Sequence, residues 1–91
     1  TRRLPISKGI ILINKNAEDA LKGDKAVSLL LVGVTSIEGD FEENDIINVV
    51  GSNNDIIAVG RSGYSSSEAK ENIGVHDLKP LIHYDYLYME Q

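Results

Sequence analysis

The sequence predicts a small, mainly β fold with short helices, a mixed barrel whose ends the helices plug. Three observations predict it. Short apolar, β-branched stretches recur along the chain, each bounded by Gly, Asn or Asp. Only two segments carry helix signals, and both are brief. Turn residues cluster between these elements. A chain of 91 residues suits one domain. A domain of this size buries roughly 60–65% of the surface its unfolded chain exposes.

Residues 10–13, Ile-Ile-Leu-Ile, follow Lys8-Gly9 and read as a buried first strand. Residues 14–23, NKNAEDALKG, read as a short helix. Asn16 is placed to cap it, and Glu18 and Asp19 fall in its first turn, where the helix dipole favours anions. Ala17, Ala20 and Leu21 share a face, and Gly23 can end the helix. Residues 27–34 read as a second strand interrupted by Gly33, which marks a bulge or a close backbone approach.

Thr35-Ser36-Ile37 carries that strand to a tight turn at Gly39-Asp40. Residues 45–50 and 56–59 form a hairpin around the turn cluster Gly51-Ser52-Asn53-Asn54-Asp55. Ser65 with Glu68 fits a capping box and predicts a second helix to about Asn72, closed by Gly74. Residues 81–89 alternate as a last strand, with Ile82, Tyr84, Tyr86 and Tyr88 on one face.

Composition excludes several classes of function. There are no cysteines, so a disulfide scaffold, a thiolate metal site and a Cys nucleophile are out. No apolar run approaches the ~20 residues that span a bilayer, so no membrane partner is expected. Thr1-Arg2-Arg3 lacks the apolar run of a signal peptide. The protein is expected to be cytoplasmic. Nine basic residues against fourteen acidic ones give a net charge of −5, which disfavours nucleic acid.

Catalytic motifs are missing. Neither Gly-rich phosphate-loop spacing occurs, and Gly60-Arg61-Ser62-Gly63 does not meet the nucleophile-elbow spacing. His76, Asp77, His83 and Asp85 make two ligand pairs, short of the three or four convergent ligands a metal needs, so no metal site is expected. Glu38, Asp40, Glu42, Glu43 and Asp45 read as a solvated acidic turn. Tyr84, Tyr86 and Tyr88 could stack bases, but Lys79 is the only Lys or Arg in residues 71–91. An interaction surface is therefore the better reading of this row.

Lone Phe41 stands amid those acids. It is placed to fold back as an apolar plug, with Gly39 permitting the turn and Asp40 accepting turn amides.

The run SLLLVGV, then SIEGDF, DIINVV, IIAVGRSGYSSSE and LIHYDYL resembles the PUA domain at the C-terminus of glutamate 5-kinase. The resemblance covers about residues 8–88. Gly33-Val34, Asp45 and Ala58-x-Gly60 follow the general PUA pattern, and EGDF with YSS-x-E follows the kinase branch. The chain departs at Leu31, where the family usually has Pro, and at Asn16, where it usually has Gly. It also has Tyr84 and Tyr86 where His-Arg-Asp-Asn is usual.

The resemblance implies a PUA-like pseudobarrel over residues 8–91, with residues 1–7 a linker or tail. It implies a non-catalytic regulatory or assembly role within an enzyme of the first step of proline synthesis. ATP and Mg would belong to an N-terminal amino-acid-kinase domain of the same polypeptide, none of whose catalytic residues lie here. A homo-oligomer is compatible with that role. The alternative is an RNA-binding PUA domain of a tRNA- or rRNA-modifying enzyme. By resemblance, its RNA face would lie at Lys15, Lys22 and Lys25, where Glu18, Asp19 and Asp24 offset the charge.

Overall fold

A computed structural model of the chain describes residues 9–23 and 27–89. The expected tail over residues 1–7 lies outside the described residues, as do Lys8, Asp24 and Lys25. Five strands form one mixed sheet in the order β2-β1-β3-β4-β5: β1 Gly9–Ile13, β2 Val34–Gly39, β3 Ile46–Val50, β4 Ile56–Arg61 and β5 Leu87–Met89. β1 runs antiparallel to β2 and parallel to β3, and β4 is antiparallel to both β3 and β5.

The parallel β1–β3 pair needs a crossover. Helix α1, Lys15–Leu21, and β2 both lie within that connection. The second helix, α2, Ser66–Glu71, packs against β2. The outer strands β2 and β5 are drawn together by a bridge between the segments that precede them. Leu29 N–H donates to the Ile82 carbonyl at 2.9 Å, and Leu81 N–H donates to the Leu29 carbonyl at 2.8 Å. That bridge curls the sheet toward a closed barrel.

The core follows the strands. Ile11, Ile47, Val49, Ala58, Leu81 and Ile82 have no exposed surface. Phe41 is 2% exposed, and Gly39, at φ 92°, makes the turn that leads to it. Gly9 leaves room for the ring: a Cβ there would lie 2.6 Å from Phe41 Cε2. The turn amide of Glu42 is received by the Asp45 carboxylate at 2.8 Å, while Asp40 is exposed.

Three local readings change. The cap of α1 is Asn14, whose Oδ1 accepts the Ala17 N–H at 2.8 Å; Asn16 lies inside the helix. Its inward face carries Leu21 and Glu18 and leaves Ala20 exposed. Residues 27–34 are not a continuous strand. They make the Leu29 bridge and then a 3-10 turn over Leu31–Gly33, closed by Gly33 N–H to the Leu30 carbonyl at 3.0 Å.

The third change falls on residues 81–89. Leu81 and Ile82 are both buried, and Tyr84–Tyr86 is a 3-10 turn, so only Leu87–Met89 is strand. His83 starts that turn by accepting the Asp85 N–H at Nδ1, 3.1 Å away. Gly33 does mark a close approach, since a Cβ there would meet Ala17 Cβ at 2.7 Å. Ser65 caps α2 by accepting the Glu68 N–H at 3.3 Å.

Candidate functional site

Two surfaces hold the residues singled out from the sequence. The first is the rim formed by residues 42–45, 61–63 and 79–86. Tyr84, Tyr86 and Tyr88 are all exposed there, at 49%, 43% and 64%. They do not form one flat row. Tyr84 and Tyr86 stand on the 3-10 turn, and Tyr88 lies on β5 opposite Val59. Tyr84 stacks on His83 at 4.4 Å between ring centroids, and the Arg61 guanidinium lies 4.6 Å from the Tyr86 ring centre.

Arg61, Lys79, His83, Glu43 and the Tyr86 ring line a cleft of about 250 Å³, which Tyr84 and Tyr88 do not enter. Its walls are tied together. Asn44 N–H donates to the Ser62 carbonyl at 2.7 Å, Ser62 N–H to the Asp45 carbonyl at 2.9 Å, and Gly63 N–H to the Leu81 carbonyl at 2.6 Å. Tyr64 supports the far wall by donating its hydroxyl to the Lys79 carbonyl at 2.8 Å.

The second surface is α1 and the segment beside it. Lys15 lies 3.5 Å from Asp19, and Lys22 lies 2.9 Å from Glu18, so both lysines are paired within their own helix. Lys25 lies outside the described residues. Among the described residues, the groove next to α1 is lined mostly by apolar side chains, with no Lys or Arg. It is lined by Ala17, Ala20, Leu29, Leu30 and Val32 and holds about 320 Å³.

Glu18 is the residue sequence reasoning missed. It is 3% exposed and joins α1 to the β3–β4 turn. Oε2 receives Lys22 Nζ, and Oε1 receives both the Ser52 N–H at 2.9 Å and the Ser52 hydroxyl at 2.7 Å. The Lys22 hydrogen bond, followed by the two from Ser52, holds the carboxyl at about 2, below its ordinary 4.5. A Cβ on Gly51 would sit 2.9 Å from the Glu18 Cδ, so this glycine makes space for the carboxylate. Glu18 and Lys22 are visible as an i, i+4 pair, but the distant Ser52 is not.

Among the described residues, no three His, Asp or Glu side chains converge as metal ligands. His83 Nδ1 lies 3.7 Å from the Asp85 carboxylate. Among the described residues no helix is long and apolar enough to cross a membrane.

The PUA domain family model matches residues 9–80. The chain is 45% identical over 84 residues to a glutamate 5-kinase of Bacteroides thetaiotaomicron, covering 92% of this chain and 23% of that enzyme. It is 41% identical over 85 residues to a glutamate 5-kinase of Chlorobaculum tepidum, covering 92% of this chain and 24% of that enzyme. The chain thus spans about a quarter of the length of these relatives.

Among solved structures, a PUA domain from Aeropyrum pernix K1 superposes with a TM-score of 0.74 at 23% identity, over 84% of this chain and 41% of that one. A chain of an archaeal box H/ACA sRNP complex superposes at 0.62 and 20% identity, over 86% of this chain and 25% of that one. At these identities the structural likeness speaks for the fold alone.

Proposed function

The chain belongs to the PUA domain family, and from that premise we propose that it serves as the non-catalytic C-terminal domain of a glutamate 5-kinase. One observation carries the reading: 45% identity to such an enzyme over 92% of this chain. On this reading the ATP-dependent phosphorylation of L-glutamate, with its ATP and Mg, belongs to a preceding kinase domain in the cytoplasm. This domain contributes regulation or assembly through protein contacts, and the Tyr84, Tyr86 and Tyr88 rim is its proposed contact surface.

The α1 geometry weighs against the RNA-binding alternative, because Lys22 is held by the buried carboxylate of Glu18 and the described residues lining the adjoining groove are mostly apolar. Counterion release needs cations free to meet phosphates.

The test is the native gene product, purified untagged from its source. Its expected mass is about four times the 10.0 kDa of this chain, with ADP release that needs both ATP and L-glutamate. A product of about 10 kDa, or one fused to a different catalytic domain, overturns the reading.

A further inference from the structure

We propose that the cleft between Arg61, Lys79, His83 and Tyr86 is a binding site for a small anion bearing a carboxylate or phosphate group. The proposal stands on the cleft alone and holds whichever polypeptide carries the domain.

Three observations point to it. The first is the guanidinium of Arg61. Among the described residues no carboxylate ion-pairs with it, although the protein is acidic overall. Lys15 and Lys22, by contrast, are each paired with an acid on their own helix. Arg61 rests against the Tyr86 face instead, 4.6 Å from the ring centre. Such stacking holds the planar fork in place while leaving its N–H edge free for a bidentate acceptor.

The second observation is convergence. Lys79 and His83 line the same cleft as Arg61. Lys79 Nζ lies 5.0 Å from the Tyr64 ring centre, so an aromatic face orients this cation too. His83 uses Nδ1 to accept the Asp85 N–H, which leaves Nε2 as the ring's donor. The cleft therefore gathers a guanidinium, an ammonium and an imidazole, donors drawn from β4 and from the segment that leads into β5.

The third observation is that the walls are already built. The hydrogen bonds among Asn44, Asp45, Ser62, Gly63 and Leu81 fix both sides of the cleft. A preformed site loses little conformational freedom on binding.

Glu43 is the acid in the cleft, and it makes the proposal sharper. Its Oε2 lies 3.7 Å from Lys79 Nζ, with both side chains more than half exposed. Such a pair is weak and opens readily. Glu43 then acts as a tethered competitor for the incoming anion, so removing its charge must strengthen binding.

The experiment is an amide NMR titration of this chain with inorganic phosphate and, separately, with succinate, against sodium chloride of equal ionic strength. Saturable shifts are expected at Arg61, Ser62, Gly63, His83 and Tyr86, with a Kd of about 1 mM or tighter. The anion that saturates at the lower concentration identifies the group the cleft prefers. Arg61→Gln is expected to weaken binding about tenfold or more, Arg61→Lys less so, and Glu43→Gln to tighten it.

Lys15→Gln, on α1 and outside the cleft lining, should leave the titration unchanged. If Arg61→Gln fails to fold, Arg61→Lys and Glu43→Gln still decide the matter. Shifts that follow ionic strength, that never saturate, or that centre on α1 overturn the proposal. So does a Glu43→Gln variant that binds no tighter.

Discussion

Phe41 shows how one side chain can answer for a whole acidic turn. Its ring is buried against Gly9, while Glu42 and Glu43 point into water on the same turn. Cutting it back to alanine removes a large apolar payload and leaves a cavity that the strand register cannot close. Phe41→Ala is expected to cost about 3–5 kcal/mol, read as a lowered urea midpoint; an unchanged midpoint would mean the ring is not a plug. Glu18 makes a different prediction, one that depends on pH. Its folded carboxyl lies at about 2, below its ordinary 4.5. The stability it contributes is thus present above about pH 4.5 and lost as pH falls toward 2. Glu18→Gln should be less stable than wild type at pH 7, and the gap should shrink as pH drops through that window. Thermal melts of both proteins from pH 7 to pH 2 check this, and a gap independent of pH would remove the Lys22 and Ser52 contacts as its cause.

At the scale of elements, what could be read from the sequence depended on how local each signal was. The capping of α2 needs only Ser65 and the N–H three residues on, and it was legible. The hairpin of β3 and β4 was legible for the same reason. The cap of α1 was misplaced because Asn14 and Asn16 are chemically identical. The choice is made by tertiary contact: Asn14 N–H donates to the Gly33 carbonyl at 3.0 Å, fixing where the strand stops and the helix starts. Residues 27–34 looked like a strand because they form an apolar run broken only near Gly33, and residues 81–89 because their side chains alternate between two faces. They break into 3-10 turns because Leu29 and Ile82 bond each other rather than a continuous neighbour. Asn14→Ala should cost about 1 kcal/mol, whereas Asn16→Ala should be close to neutral, and the pair of melts separates the two candidate caps. Gly33→Ala presses a methyl onto Ala17, 2.7 Å from its Cβ. It is expected to lose about 1–3 kcal/mol through displacement of α1, measured in the same way.

Over the whole molecule, the decisive fact is how the sheet is closed. Its order leaves β2 and β5 as the two edges, and an open five-stranded sheet would expose unpaired backbone on both. The segment from Leu81 to Tyr84 draws those edges together. Leu81 and Leu29 exchange a backbone hydrogen bond at 2.8 Å, Ile82 receives the Leu29 N–H at 2.9 Å, and Tyr84 N–H donates to the Ser28 hydroxyl at 3.0 Å. Leu81 and Ile82 add two fully buried side chains, worth about 1.5–3 kcal/mol each. The rest of this stretch anchors β5, whose partner Gly60 admits the backbone closely: a Cβ there would lie 2.6 Å from the Tyr86 carbonyl. The family pattern matched here stops at residue 80, so the closing segment lies just beyond it. A chain ending at Pro80 would keep β1 to β4 and both helices yet lose the bridge, two core residues and the partner of β4. For a domain with a total stability of about 5–15 kcal/mol, that loss is decisive. The truncated chain is expected to give no cooperative urea transition and to expose apolar surface that binds a hydrophobic dye. A sharp transition near the wild-type midpoint would show that the barrel closes without residues 81–91.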